Sequence, residues 1–168
     1  LVDFYMKLPR GKREFLLFLT VLSILSMNII APLITCLEAG FTIENWLYVF
    51  EIMPILWPCV IATVFLTYKP AAFLTSKLTK EGDSFNAVVT LNILSTVFLM
   101  SIILTIVGSW IGVLEISMGP IQNFFYKWPR NFAISLGVEV LIAQPIARKV
   151  MIILHQYLDK HNSTLATP

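Results

Sequence analysis

The sequence is poor in charged residues. Lys, Arg, Asp and Glu make up only 13% of its 168 residues, whereas 57% are apolar and the mean hydropathy is +0.80. A soluble domain of this size must cover most of its surface with polar groups, which 12 basic and 10 acidic side chains cannot do. The composition therefore excludes a soluble domain and a disordered chain. The net charge of only +2 also argues against a nucleic-acid partner.

Residues suited to metal, redox or hydrolytic chemistry are equally scarce. The chain has two Cys and two His, and His155 and His161 would face different ways on a helix. Neither a Ser, His and Asp set nor a phosphate-binding glycine loop is present in the sequence. The sequence thus predicts a non-enzymatic protein without a metal or cofactor.

The sequence contains four long apolar runs. A helix needs about 20 residues to cross a bilayer, and each run is of about that length or longer. The first and the third hold no Asp, Glu, Lys or Arg, whereas Glu51 is the only such residue in the second run and Glu139 the only one in the fourth. The sequence therefore predicts an all-α integral membrane protein with four transmembrane helices. The runs are Phe15–Leu37, Asn45–Tyr68, Ser84–Leu114 and Asn131–Ala147.

The distribution of basic residues predicts the orientation, because Lys and Arg resist translocation across the membrane. Only Lys127 and Arg130 would lie on the outer side. The protein is therefore expected to cross the membrane several times, with both termini in the cytoplasm. The inner basic residues are Lys7, Arg10, Lys12, Arg13, Lys69, Lys77, Lys80, Arg148, Lys149 and Lys160.

The two halves of the chain resemble each other. Residues 43–48 (IENWLY) match residues 121–126 (IQNFFY), and the sixteen-residue spacing of Pro54 and Pro70 recurs at Pro129 and Pro145. A unit with two crossings returns to its starting side, so its duplicate has the same orientation. The sequence predicts two parallel-repeat hairpins. The predicted parts are an N-terminal cytoplasmic segment (1–14), two repeats (15–80 and 81–157) and a cytoplasmic tail (158–168).

The segments NFFYKWPRNFAIS (123–135) and LIAQPIARKVM (141–151) resemble a bacterial inner-membrane domain family of unknown function. Members of that family are mostly small two-helix proteins, and the chain resembles a tandem pair of this unit. The resemblance implies the bacterial cytoplasmic membrane and no assigned activity. In the first copy, Lys69 and Phe73 stand where the second copy has Gln144 and Arg148.

Glu139 is the most informative residue, since a carboxylate near the bilayer centre is costly unless it is neutral, paired or hydrated. Asn131, Ser135 and Glu139 recur every four residues, which predicts a polar stripe along one helix face. This stripe could relay protons or cations. Alternatively, Glu139 joins helices through hydrogen bonds, with three candidate partners. Those candidates are Asn28, Asn92 and Ser95.

Gln144, Pro145 and Arg148 form a second candidate site, predicted at the cytoplasmic mouth and on another helix face from Glu139. Pro145 lacks an N–H, so it should free the carbonyl of Leu141 and kink the helix. The site could coordinate an ion. Alternatively, Arg148 extends to the lipid headgroups.

Small and polar residues follow one another along the third apolar run. Ser101 and Thr105 repeat at four-residue spacing, and Gly108 and Gly112 form a pattern that permits close helix contact. Helix packing is the favoured interpretation, and a pore lining is the alternative.

Two hypotheses for the function remain open from the sequence. One is a small transport or channel component that uses Glu139, and the other is a structural or regulatory subunit acting through helix association. The predicted partners are the lipid bilayer and either a second copy of the chain or another membrane protein.

Overall fold

The structure, a computed structural model, describes residues 7–165, apart from the side chains of Phe85 and of residues 163–165. Within that range all regular structure is helical, as predicted. The elements are α1 (Lys12–Ala39), α2 (Ile43–Leu78), α3 (Phe85–Val113), α4 (Gly119–Gln122), α5 (Phe124–Val138), a π-helical turn (Glu139–Ala143) and α6 (Gln144–Leu165).

Among residues 7–165, three helices are long and apolar enough to cross a membrane, namely α1, α2 and α3, with 28, 36 and 29 residues. They make the chain a multi-pass membrane protein. The predicted second run ended at Tyr68, but α2 continues to Leu78 and includes Lys69 and Pro70. At 1.5 Å per residue, α2 is about 54 Å long, well beyond the ~30 Å hydrocarbon core.

The predicted fourth run, Asn131–Ala147, is helical throughout but is not one regular α-helix. It begins in α5, passes through the π-helical turn and ends in α6. At the turn, the N–H of Gln144 donates to the carbonyl of Glu139, five residues earlier. This turn directly precedes Pro145, which has no N–H to continue the regular pattern.

The chain folds as two compact units, and the first contains described residues 7–28 and 138–165. In this unit the N-terminal half of α1 packs against α6 through a core of large and small apolar side chains. This core consists of Phe18, Leu22, Ala143, Ala147 and Met151, with Val21, Leu25, Val150 and Leu154 around it. Alternating large and small residues allows the two helices to approach closely.

The second unit, residues 29–137, contains the hairpin of α2 and α3. The Tyr48 hydroxyl donates to the carbonyl of Gly112 at 3.1 Å, and the Asn92 amide donates to the Thr75 hydroxyl at 3.4 Å. The two helices are therefore paired near both ends. The buried face of α2 recurs every three or four residues, at Val49, Ile52, Leu56, Val60, Thr63, Thr67, Ala71 and Thr75.

Side-chain caps and glycines set the helix boundaries of the second unit. The hydroxyls of Thr42 and Ser84 accept from the backbone N–H groups of Asn45 and Ala87, which begins α2 and α3. Gly40 follows α1 with a φ of +106°, a conformation that favours glycine. These residues keep the connection between α1 and α2 to three residues.

Candidate functional site

The candidate site of the first unit is built around the carboxyl group of Glu139. The hydroxyl of Ser26 in α1 donates to Oε2 at 2.6 Å, and the amide of Gln144 donates to Oε1 at 3.4 Å. Glu139 is partly buried, and only 8% of Gln144 is exposed. Both carboxyl oxygens therefore have a polar partner in a largely apolar setting.

The π-helical turn explains how Gln144 reaches Glu139. In a regular α-helix, side chains five residues apart point about 140° away from each other. The wider turn at Glu139–Ala143 brings the fifth residue back toward the face of the first. The prediction that Gln144 lies on another face is therefore wrong, because it assumed a regular helix.

Of the three helix-joining partners predicted for Glu139, only Asn28 belongs to the same unit, and its side chain bonds elsewhere. Asn28 donates to the carbonyl of Ile24 in its own helix at 2.7 Å, and Asn92 bonds to Thr75. Ser95 is 1% exposed, and its hydroxyl has no hydrogen-bond partner among the described residues. Ser26, whose role the sequence did not reveal, supplies the contact between α1 and Glu139.

The other members of the predicted stripe lie in the second unit. Asn131 is buried and donates to the hydroxyl of Thr105 in α3 at 3.3 Å, while Ser135 is partly buried. Ser101, also in α3, accepts from the indole N–H of Trp128 at 2.9 Å. In this unit the polar residues of α3 thus join it to α5.

Trp128 lies at the centre of an aromatic cluster. Its ring stacks on Phe124 and Phe132, with centroid distances of 5.8 Å in both pairs, and meets Phe98 edge-on at 5.5 Å. The ring cluster and the Ser101 bond together hold α5 against α3.

The Cα positions of Gly108 and Gly112 do not face a neighbouring helix closely in the described part of the chain, although the carbonyl of Gly112 accepts from Tyr48. A Cβ atom added at either glycine would meet nothing within 4 Å among the described residues. The prediction of close packing at these glycines is therefore wrong for a single copy of the chain.

Of the second candidate site, Pro145 is exposed and Arg148 is partly buried. Gln144 belongs with Glu139, whereas the Nε atom of Arg148 is buried without a hydrogen-bond partner among the described residues. The three predicted residues therefore do not converge on one ligand position.

A charged cluster of the first unit, where α1 begins and α6 approaches its end, was not predicted. His155 is fully buried, and its Nε2 lies 2.9 Å from Oε2 of Glu14. One turn beyond, the Arg10 guanidinium donates to both carboxyl oxygens of Asp159, at 2.9 and 3.2 Å. These hydrogen bonds hold the pKa of Asp159 below its ordinary value.

The second unit has its own ion cluster, at Glu38. Its Oε1 lies 3.2 Å from Nζ of Lys127 and 2.8 Å from the guanidinium of Arg130. Arg130 also donates to the side chain of Asn131 at 3.1 Å. The only two basic residues predicted on the outer side thus share one carboxylate near the end of α1.

The side chains around Glu139 can both donate and accept hydrogen bonds. In residues 7–165 no three His, Cys, Asp or Glu side chains are grouped to hold a metal ion. Ser26 can donate a hydrogen bond to a carboxylate or accept one from a carboxylic acid. Gln144 likewise offers both an N–H and a carbonyl.

No protein-family model, curated protein or solved structure matches this chain. The class that the fold defines is an all-helical, multi-pass membrane protein.

Proposed function

We propose that this protein is a small transport or channel component of a bacterial cytoplasmic membrane, in which Glu139 takes up and releases protons. The observation that carries the proposal is the position of Glu139 between Ser26 and Gln144. The family resemblance contributes the bacterial inner membrane and no activity.

The proposed topology has four crossings, with the fourth formed by the helical segment that contains Glu139. Arg10, just before α1, pairs with Asp159 near the end of α6. The two ends of the described chain thus lie side by side in the first unit, and this arrangement supports an even number of crossings. Three apolar helices alone would leave the ends on opposite sides, so this pair supports a fourth crossing.

The contact with Ser26 supports a position of Glu139 near the middle of the bilayer. Ser26 is equally far from Phe15 and Leu37, the ends of the apolar run of α1, at about 16 Å from each. The hydrocarbon core is ~30 Å thick. Glu139, bonded to Ser26 at 2.6 Å, shares that depth.

Both protonation states of Glu139 can be accommodated without moving the helices. As a carboxylate, Glu139 accepts from Ser26 and Gln144, and as an acid its O–H can donate to the Ser26 oxygen. The 2.6 Å oxygen separation suits either direction. A group that changes protonation in place is what a relay through a membrane needs.

Proton flux into vesicles tests the proposal. The purified full chain is reconstituted, a potassium diffusion potential is imposed, and a trapped pH-sensitive dye reports proton entry. We expect flux from the wild type and from Glu51→Gln, which removes an exposed carboxyl group from α2, but not from Glu139→Gln. Thermal unfolding of each variant distinguishes a lost relay from a lost fold. Flux that persists in Glu139→Gln, or none in the wild type, would reject the proposal.

The second candidate function is a structural or regulatory subunit, and it rests on the same hydrogen bonds. Ser26 and Glu139 join α1 to the segment beside α6, as polar residues do when they hold membrane helices together. In that case the wild type carries no flux, and Glu139→Gln lowers only the stability or the association with another copy or another membrane protein.

Labelling of single cysteines tests the proposed topology. With Cys36 and Cys59 replaced by Ala, a cysteine is introduced at one site in each variant and labelled with a membrane-impermeant maleimide. The four variants are Lys12→Cys, Lys80→Cys, Glu115→Cys and Lys160→Cys. We expect Glu115→Cys to be labelled from one side of the membrane and the other three from the opposite side. Labelling of Lys160→Cys from the same side as Glu115→Cys would reject the fourth crossing.

A further inference from the structure

Arg148 is a partly buried cation for which the described part of the chain, residues 7–165, supplies no hydrogen-bond or ion-pair partner. Its Nε atom is buried and makes no hydrogen bond to any described residue. No carboxylate of the described chain lies within ion-pair distance of it, and the described acids that pair with arginine are Asp159 and Glu38. An Nε–H group that is removed from water needs an acceptor, because burying it without a hydrogen bond is costly.

The position of Arg148 along α6 limits where that acceptor can come from. Its neighbours Ala147 and Met151 are fully buried and pack in the cluster that contains Phe18 and Leu22. Phe18 and Leu22 lie three and seven residues inside the apolar run of α1. Arg148 therefore lies roughly 5 to 10 Å inside that run, measured along the helix axis.

This depth suits a phospholipid phosphate better than a dissolved anion. The guanidinium of Arg binds phosphate oxygens through two parallel hydrogen bonds. Arg side chains near helix ends reach the headgroup layer, which can also move inward to meet them. The adjacent Lys149 is exposed and adds positive charge on the same stretch of helix.

We propose that Arg148 binds the phosphate of one anionic phospholipid, from the leaflet nearer the chain termini. The proposal rests on the four-crossing topology given above, but it does not require Glu139 to carry protons. The lipid would then be held beside α6 by a charge-assisted pair, with its acyl chains along the apolar helix surface.

Retention of lipid by the full chain in detergent tests this. The protein is titrated with dioleoyl phosphatidylglycerol, and bound lipid is counted by native mass spectrometry. We expect the wild type and Lys149→Gln to hold one lipid at similar affinity, and Arg148→Gln to bind about tenfold more weakly. Arg148→Lys, which keeps the charge but loses the paired geometry, should lie between them. It serves as the test variant if Arg148→Gln does not fold.

Equal retention by wild type and Arg148→Gln, or by wild type and Arg148→Lys where the Gln variant does not fold, would overturn the proposal. An equal loss in Lys149→Gln would do the same, because it would indicate unspecific attraction. Dioleoyl phosphatidylcholine that binds as tightly, or millimolar glycerol phosphate that displaces the lipid, would also overturn it. Glu139→Gln should keep the lipid. A chain that holds lipid through Arg148 but carries no proton flux would reject only the proposed function.

Discussion

Glu139 and Gln144 are five residues apart on the same helical segment, yet their side chains meet at 3.4 Å. The contact exists because the backbone between them forms a π-helical turn immediately before Pro145. Local backbone geometry therefore decides which polar groups surround the buried carboxyl group. π-Helical turns within α-helices are often found at functional sites.

Replacing Pro145 should break this contact without removing either partner. Pro145→Ala restores a backbone donor, so a regular α-helix becomes favourable and Gln144 turns away from Glu139. We expect Glu139 to react faster with a hydrophobic carbodiimide, as judged by mass spectrometry, in both Pro145→Ala and Gln144→Leu. Gln144→Leu should also unfold more easily by about 1 kcal/mol, whereas Pro145→Ala should not. Unchanged carbodiimide reactivity in Pro145→Ala would mean that the proline does not set the turn.

The parts of the fold that follow from apolar runs could be predicted from the sequence. The first run, Phe15–Leu37, corresponds to α1, and the third run, Ser84–Leu114, corresponds to α3, each within three residues. An apolar run bounded by charged residues marks a segment that lies in lipid. Its backbone N–H and C=O groups must therefore bond to one another, which favours a helix. The end of α2 was misplaced because hydropathy reports the apolar part of a helix and not its continuation past the membrane.

The candidate site was predicted only in part, for a different physical reason. Glu139 stood out as an isolated carboxyl group, but its partner Ser26 is more than a hundred residues away in the chain. Ser26 resembles several other serines in apolar runs, and pairing between helices decides which of them matters. The signal that could have found it is its place at the midpoint of the first run, level with an expected mid-membrane carboxyl group.

The bond between Ser26 and Glu139 should appear as a coupling energy in a double-mutant cycle. Ser26→Ala, Glu139→Leu and the double variant are compared with the wild type by unfolding in mixed detergent micelles. Leucine is used because glutamine would keep an oxygen that can accept from Ser26. We expect a coupling of roughly 0.5 to 2 kcal/mol, the range for hydrogen bonds between membrane helices. Ser23→Ala, on the same helix and also partly buried, serves as the control and should show no coupling to Glu139→Leu. Additive effects of Ser26→Ala and Glu139→Leu would argue against a direct bond.

The two histidines should differ sharply in their effect on stability. His155 is fully buried against Glu14, whereas His161 is exposed and stacks on the exposed Tyr157 with a centroid distance of 6.3 Å. His155→Ala leaves a cavity and removes one of the partners of the Glu14 carboxylate, which keeps the backbone N–H of Arg10, so we expect it to lower the free energy of unfolding by roughly 2 to 4 kcal/mol. His161→Ala should change it by less than about 0.5 kcal/mol. Similar melting temperatures for the two variants would show that the buried pair contributes little.

The pair of Arg10 and Asp159 should make the terminal contact sensitive to acid. Its hydrogen bonds lower the pKa of Asp159 in the folded protein. The contact therefore makes its full contribution to the stability of the fold at pH values above about 3.9, the ordinary pKa of aspartate. That contribution is lost as the pH falls through the lowered value. Because both side chains are exposed, the effect should be small and should shrink further in high salt. Spin labels at Lys12→Cys and Lys160→Cys, measured between pH 7 and pH 2, should move apart in acid in the wild type. Asp159→Asn should show the wider separation already at pH 7, and an acid-induced step of the same size in that variant would assign the change to another group.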